Sequence, residues 1–572
     1  MSDFNTSEST STINNQSPSS HINSNKKLKS DIDVVLARNQ KQKTELINQN
    51  NSNDETTSSK STTNRRQNEN SDNKRKNNWS EENKTNIKII KTNEKRLPKR
   101  KVAVLFGYYG KGYKGSQVNP GMKTIEGEIF KAFVKAGCIS QDNSLHPQKV
   151  GLQRAARTDA NVHAGCNLIS LKLILEPPNL NKETDNKIVQ EDQTIEHHSV
   201  PLINYINSFL PNEIRLWSFN RVQNSFHART MCDSRTYEYS LPTYLFLPPK
   251  PGTALYNRLN SIKLGLNESK WSESFDPDEH EGNWWNDHLD QNLAINSEIL
   301  QPISNFKLSV KQKKSEYRIS LPMIKRIKES IEKFKGTHNF HNFTVGKEFK
   351  ERNSIRIIRE MSVSEPFIVG NEDEGETGTE WISIKFYGQS FMLHQIRKMM
   401  GLIILLCRTR TPSTLIPELY GPIKVRIPKA PGLGLILQNP HFDGYNKRII
   451  EFNQTHQNKP IHEDLIREII NPNKFLKLIE KFKKEILYKK MWEEEKNENG
   501  FGVWINYLDV CNESDLDFIN PKGVLPPSIT NPKSSISNSS KVTTGNQTNV
   551  ERLIDSDEED LKYQDGEEIE EG

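Results

Sequence analysis

The sequence predicts an α+β fold: two similar α+β halves forming a shared mixed, mainly antiparallel sheet with helices on one face. Three observations predict it. Strand-like and helix-like segments come in two successive series rather than in strict alternation, which argues against a doubly wound parallel sheet. Each series combines segments that alternate apolar and polar residues with segments whose apolar residues fall at helical spacing. A polar stretch, DPDEHEGNWWNDHLDQN and its surroundings, separates the two series.

The elements follow in order. KVAVLFGYYG (101–110) reads as a strand with a buried face. A glycine-rich turn leads to a helix over 124–137, capped by Thr124, with Ile125, Ile129, Ala132, Phe133 and Ala136 on one stripe. NLISLKLIL (167–175) is a strand, and VPLINYINSFLP (200–211) is a helix that stops at a proline. IRLWSFNRV and SRTYEYSLP are two further strands. In the second series MIKRIKESIEKFKG (323–336) is a helix with Ile324, Ile327, Ile331 and Phe334 inward and Lys325, Arg326, Lys328, Lys333 and Lys335 around the rest. EWISIKFYG (380–388) alternates as a strand, FMLHQIRKMMGLIILLC (391–407) is a mostly buried helix, and GLGLILQNP (432–440) is a last short strand.

The chain of 572 residues accordingly divides into six parts. Residues 1–97 are an Asn/Ser-rich basic arm too poor in apolar residues to offset chain entropy, hence expected to be disordered. Residues 98–249 and 321–446 are the two halves of the folded domain, 250–320 is the polar insertion and 447–513 is a charged helical extension. Residues 514–572 are a second disordered tail with an acidic end.

The net charge of +6 is unevenly spread. Residues 551–572 hold eleven acids against Arg552 and Lys562, so the rest of the chain is strongly basic. A basic body suits a polyanionic partner; ordinary solubility charge is the alternative. The five cysteines form no CxxC pair, which argues against a zinc ribbon or a disulfide framework. The longest apolar run, MMGLIILLC, is far short of the ~20 residues of a spanning helix, and no membrane partner is expected. KRK (74–76) and PKRK (98–101) read as nuclear import signals or as solvated charge.

Two patterns mislead. Gly110, Gly112 and Gly115 make a literal GxGxxG, but SQVNPGMK intervenes before the next helix, so a dinucleotide loop is not expected. His163 and Cys166 form an HxxC without the HxE and PCxxC of zinc deaminases, so no metal site is expected and a packed histidine is the better reading.

The segment RAARTDANVHAG (154–165) crowds Arg157, Asp159 and His163 beside a buried strand. An aspartate held dry beside a cation is a competent nucleophile. An arginine next to it can fill the gap left by a base extruded from a nucleic-acid stack. The competing reading is an Arg–Asp pair that only stiffens a loop.

Further segments favour the first reading. RAARTDANVHAG resembles the catalytic segment of the TruA-type pseudouridine synthases, close to A/G-R-T-D-x-G-V-H-A. FHARTMCDSRTYEYSLP resembles their second segment, FMLHQIRKMMG their third and KAPGLGLIL their closing one, while GYYGKGYKGSQVNP and TIEG resemble the opening strand and helix. These motifs cover about 98–445 in family order, and GTHNFHNFT with PKAPGLGLILQNPHFDGYN narrows the resemblance to the eukaryotic branch.

The resemblance implies an isomerase that converts uridine to pseudouridine in tRNA, with small nuclear and messenger RNA as further substrates. It implies Asp159 as nucleophile, Arg397 paired with it, and Tyr237 stacked on the flipped base and assisting proton loss. Leu435 would pack the base's other face and Arg157 would enter the stack, with His163 and Arg229 also on the substrate side. No cofactor is implied. A monomer and a nuclear location are expected. A catalytically idle RNA-binding protein of the same fold is the runner-up, and a protein-interaction scaffold built on the low-complexity arms is a third reading. Asn161 stands where the family has glycine, which a left-handed residue would allow.

Overall fold

The computed structural model describes residues 97–178, 180, 199–264, 284–285, 314–370, 378–456, 466–511 and 516–530. The expected arm up to residue 96, the expected tail 514–572 beyond residue 530, the basic cluster 74–76 and most of the polar insertion lie outside the described residues. The start of that tail is folded rather than disordered, because its apolar residues Leu516, Phe518 and Ile519 are buried in the core.

Ten strands form one sheet: β1 (Arg100–Tyr108), β2 (Gln153–Arg154), β3 (His163–Leu173), β4 (Ile214–Arg221), β5 (Ser234–Pro242), β6 (Gly336–Asn339), β7 (Ile355–Val363), β8 (Phe367–Val369), β9 (Thr379–Gly388) and β10 (Leu435–His441). The order is β4-β1-β3-β10-β5-β9-β7-β6, with β2 added to β3 and β8 to β9. Among the described strands only the β10–β3 pairing is parallel, so the sheet is mixed and mainly antiparallel, as the sequence predicts. The last strand closes the middle of the sheet. β10 takes Ile436 alongside His163 on one side and Leu437 opposite Tyr237 on the other.

Among the described residues the α-helices longer than four residues are α1 (Ile125–Lys135), α2 (Val200–Asn207), α3 (Ala254–Leu264), α4 (Leu321–Glu332), α5 (Gln395–Thr409), α6 (Asp443–His456), α7 (Leu476–Phe482), α8 (Lys489–Glu498) and α9 (Gly500–Val510), with a π-helical turn at Lys483–Tyr488 between α7 and α8. None of the described helices is long and apolar enough to cross a membrane. Thr124 caps α1 by accepting the Gly127 N–H at 3.2 Å, as expected. Ser320 does the same for α4.

Successive strand residues point to opposite faces, and both faces are used. Val102, Val104 and Phe106 share a core with α1, α2, α4 and α5, the helices of the two halves. Ala103, Leu105, Leu168 and Ile436 share a second core with α6, α7 and the π-helical turn. The charged extension is thus a structural layer. Phe482 packs edge-on against Trp217 at 5.2 Å, and Phe501 of α9 packs against Trp381 and Tyr239 on the first face.

Among the differences from expectation, two element starts and one added strand have clear physical reasons. β3 begins at His163 rather than 167, because Gly165 is a bulge inside the strand: Phe106 and Tyr108 oppose Asn167 and Ala164, two steps against three. A β-carbon at Gly165 would stand 3.0 Å from Lys483 Cδ, so the bulge also makes room for the extension. α5 begins at Gln395 rather than 391. His394 before it is left-handed (φ 58°), and the Gln395 side chain turns back to accept the Met392 N–H at 2.9 Å. β7, IRIIREMSV, was not expected, because isoleucines sit at both exposed and buried positions and blur its alternation.

Candidate active site

Asp159 lies on the loop between β2 and β3, and the loop is held from several sides. Arg154, on β2, makes a two-point ion pair with the buried Glu126 of α1 (2.6 and 3.0 Å). The Thr158 hydroxyl meets Tyr108 Oη at 2.7 Å, its N–H donates to Ser116 Oγ at 2.9 Å, and its carbonyl accepts the Ser116 N–H at 3.0 Å. The Val162 N–H donates to the Asp159 carbonyl at 3.3 Å, closing a turn with Asn161 at φ 62°. Positive φ at the third residue is the demand of a type II turn, met by Gly or Asn. The left-handed residue expected at Asn161 is therefore present.

The turn leaves the Asp159 side chain 24 % exposed, facing the start of α5. Arg397 Nη1 is 4.0 Å and His394 Nε2 3.6 Å from Asp159 Oδ2. Arg397 Nε donates to the Ala430 carbonyl at 2.8 Å, and the Ala430 N–H returns a bond to the Arg397 carbonyl at 3.0 Å. This approach needs Gly401, where a β-carbon would collide with the Pro428 carbonyl oxygen. Tyr237, at the middle of β5, is buried, with Phe391 edge-on at 5.3 Å. Burial pushes its hydroxyl above the ordinary tyrosine range. Arg235 opposes this, while Asp159 is near enough to add to it. The phenol is accordingly protonated at neutral pH. A partly exposed carboxylate and a guanidinium thus stand 4.0 Å apart, with a buried phenol near enough to feel the carboxylate's charge.

Residues 331–443 match the family model described as tRNA pseudouridine synthase. The chain is 41% identical over 438 residues to tRNA pseudouridine synthase 1 of Kluyveromyces lactis, covering 74% of this chain and 72% of the relative. It is 44% identical over 377 residues to tRNA pseudouridine synthase 1 of Saccharomyces cerevisiae (63% and 64% covered). It is 31% identical over 423 residues to the mouse protein named Pseudouridylate synthase 1 homolog (73% and 76%). The chain belongs to the TruA-type tRNA pseudouridine synthase family. It is by that membership an isomerase.

Set in this synthase, the other residues singled out from sequence fall into two groups. Arg157 and Arg229 are exposed. They lie on neighbouring loops, since Arg235 donates both to the Ala155 carbonyl at 2.8 Å and to the Arg229 carbonyl at 3.5 Å. Leu435 shares a face with Tyr237 one pair further along, opposite Tyr239, whereas Leu437 lies directly across from Tyr237. His163 is almost fully buried. Its Nδ1 accepts the Gly110 N–H at 3.0 Å and its Nε2 donates to the Leu433 carbonyl at 3.0 Å, so it is neutral and its ring is committed to the scaffold. Burial lowers its pKa to about 4. Sequence reasoning assigned no role to His394, Phe391 or Tyr108. The first two stand inside the quoted FMLHQIR segment, next to Arg397, and were legible as neighbours but not as parts of the site.

Proposed function

We propose that this synthase isomerises uridine to pseudouridine in tRNA, with Asp159 as nucleophile and the target base flipped out of its stack. The observation that carries the reading is the accessible Asp159 carboxylate, 4.0 Å from the Arg397 guanidinium on a loop held by Thr158, Asn161 and Arg154. A carboxylate held and oriented beside a cation is a competent nucleophile toward carbon. Asp159 attacks the nucleoside at C1′ or at C6, the N1–C1′ bond breaks, the ring turns, C5 joins C1′, and the bond to Asp159 breaks to free the carboxylate. N1 gains a proton and C5 loses one, so bonds and charge balance without a cofactor.

Tyr237 offers a ring for stacking, and its neutral hydroxyl relays the C5 proton by accepting it at oxygen while its own proton goes to N1, the atom that gains one. Leu435 and Leu437 supply apolar wall on the same face. Arg157, exposed beside Asp159, fills the space the base vacates, and Arg229 reaches the adjoining backbone. His163 supports the substrate side from behind, through Tyr109 and Leu433. The names of the relatives support tRNA as substrate. Action on small nuclear and messenger RNA, a nuclear location and a monomeric state are parts of the same reading.

The test is incubation of the purified protein with an unmodified tRNA transcript, followed by nucleoside analysis. Pseudouridine should accumulate. Tight binding with no product would favour the idle RNA-binding protein instead.

A further inference from the structure

The carboxylate of Glu494 ties the C-terminal extension to the segment that follows β1. Glu494, on α8, accepts the Tyr109 hydroxyl at 2.5 Å and pairs with Lys111 Nζ at 3.2 Å. Tyr109 follows β1, and its N–H donates to the Glu213 carbonyl at 2.9 Å. A second tie holds the same helix, since Lys490 pairs with Glu213 at 2.5 Å. The Tyr109 ring lies flat on His163, centroids 4.5 Å apart at 15°.

His163 then divides the contact. Its Nδ1 holds Gly110, beside Tyr109, and its Nε2 holds Leu433. Gly432, the next residue, sits so close to the site that a β-carbon there would be 3.3 Å from the Ala160 carbonyl and 3.7 Å from Arg397 Cζ. The path from the extension to the two charged groups of the site is therefore continuous: Glu494, Tyr109, His163, and then the 432–433 segment against Ala160 and Arg397.

We infer that Glu494 is a positioning residue for the isomerisation, setting the spacing of Asp159 and Arg397 through Tyr109 and His163. The inference rests on the function proposed above. A phenylalanine at 109 would supply the stack on His163; the hydroxyl adds only the bond to α8. That bond has a carboxylate acceptor, which makes it short and directional. Burial, with Glu494 adding to it, pushes the Tyr109 hydroxyl well above its ordinary range, so it remains a donor at neutral pH. The outer ion pair of Lys111 with Glu498 is more exposed and adds little. The π-helical turn at 483–488 precedes α8 directly and is fixed by Tyr488, which donates to Glu238.

The experiment is single-turnover kinetics on one tRNA transcript, with affinity and unfolding midpoint measured on the same preparations of full-length protein. The variants are Glu494→Ala, Glu494→Gln, Tyr109→Phe, the Glu494→Ala/Tyr109→Phe pair, and Glu493→Ala on the exposed side of α8 as control. Glu494→Ala and Tyr109→Phe should each slow the bound step between about tenfold and a hundredfold, the scale of small misplacements of reacting groups. Affinity should stay within about twofold. Glu494→Gln keeps an acceptor and should recover most of the rate even if the alanine variant folds poorly. The double variant should be no slower than the worse single one, because both remove the same bond. A Glu494→Ala rate equal to that of Glu493→Ala, or a loss confined to affinity and unfolding midpoint, would overturn the inference. Wild-type protein that makes no pseudouridine would instead overturn the function on which it rests.

Discussion

The guanidinium of Arg397 stands 4.0 Å from the Asp159 carboxylate while its Nε holds the Ala430 carbonyl at 2.8 Å. One side chain thus ties the start of α5 and the segment leading into β10 to the loop before β3, three parts of the chain far apart in sequence. Arg397→Ala should lower the bound-state rate by about 10²–10³, the range seen when a preorganised electrostatic partner is removed. Arg397→Lys keeps the charge but not the fork that serves two acceptors, and should fall between. Single-turnover rates on tRNA decide this; a lysine variant as slow as alanine would mean that geometry, not charge, dominates.

Tyr237 combines a ring and a hydroxyl, and the two contributions separate by substitution. Tyr237→Phe keeps the stacking face and the edge contact with Phe391. If the hydroxyl relays the C5 proton, the phenylalanine variant should lose about 10²–10⁴ in rate. A phenylalanine variant as fast as wild type would leave stacking as the residue's only role.

Asn161 tests the catalytic turn. Its φ of 62° suits glycine or asparagine, and other L-residues cost about 1–2 kcal/mol there. Asn161→Gly should retain activity and thermal stability. Asn161→Val, branched at Cβ, should lower both Tm and rate. Equal behaviour of the two variants would show that the backbone at 161 does not constrain Asp159.

His163 carries a pH signature. Burial depresses its pKa from 6.5 to about 4, so the unfolded chain binds a proton at a pH where the folded protein does not. Its contribution is complete above about pH 6.5 and is lost as pH falls toward 4. His163→Phe keeps a ring against Tyr109 but cannot titrate. The Tm difference between wild type and His163→Phe should therefore shrink between pH 6.5 and 4. A constant difference across that window would contradict the buried neutral ring.

Most of the strands and helices of the two halves were legible because their periodicity matches the faces they bury: Val102, Val104 and Phe106 on β1, or Ile327 and Ile331 on α4. The candidate site residues were proposed from motif order, since no local spacing relates Asp159, Tyr237 and Arg397; of these, the 4.0 Å approach of Arg397 to Asp159 is a tertiary contact. What stayed hidden depends on tertiary contacts. Gly165 falls before the strand expected from residue 167, and its place in a bulge is visible only with β1 beside it. The extension reads as a solvated charged helix, yet Phe482 and Phe501 fill the two cores, and Glu494 contacts Tyr109 across 385 residues. Charge in a sequence shows which side chains prefer water; it does not show which of them are held by a partner from the other end of the chain.

The most direct test of the whole account is one measurement on Asp159→Asn: pseudouridine formed in a tRNA transcript at saturating protein, with binding confirmed in the same sample. The amide preserves volume and removes the nucleophile. The account predicts no detectable product and an affinity within about threefold of wild type, a change below ~1 kcal/mol. Turnover above about a tenth of the wild-type rate would contradict it, because no other carboxylate has been assigned the attack.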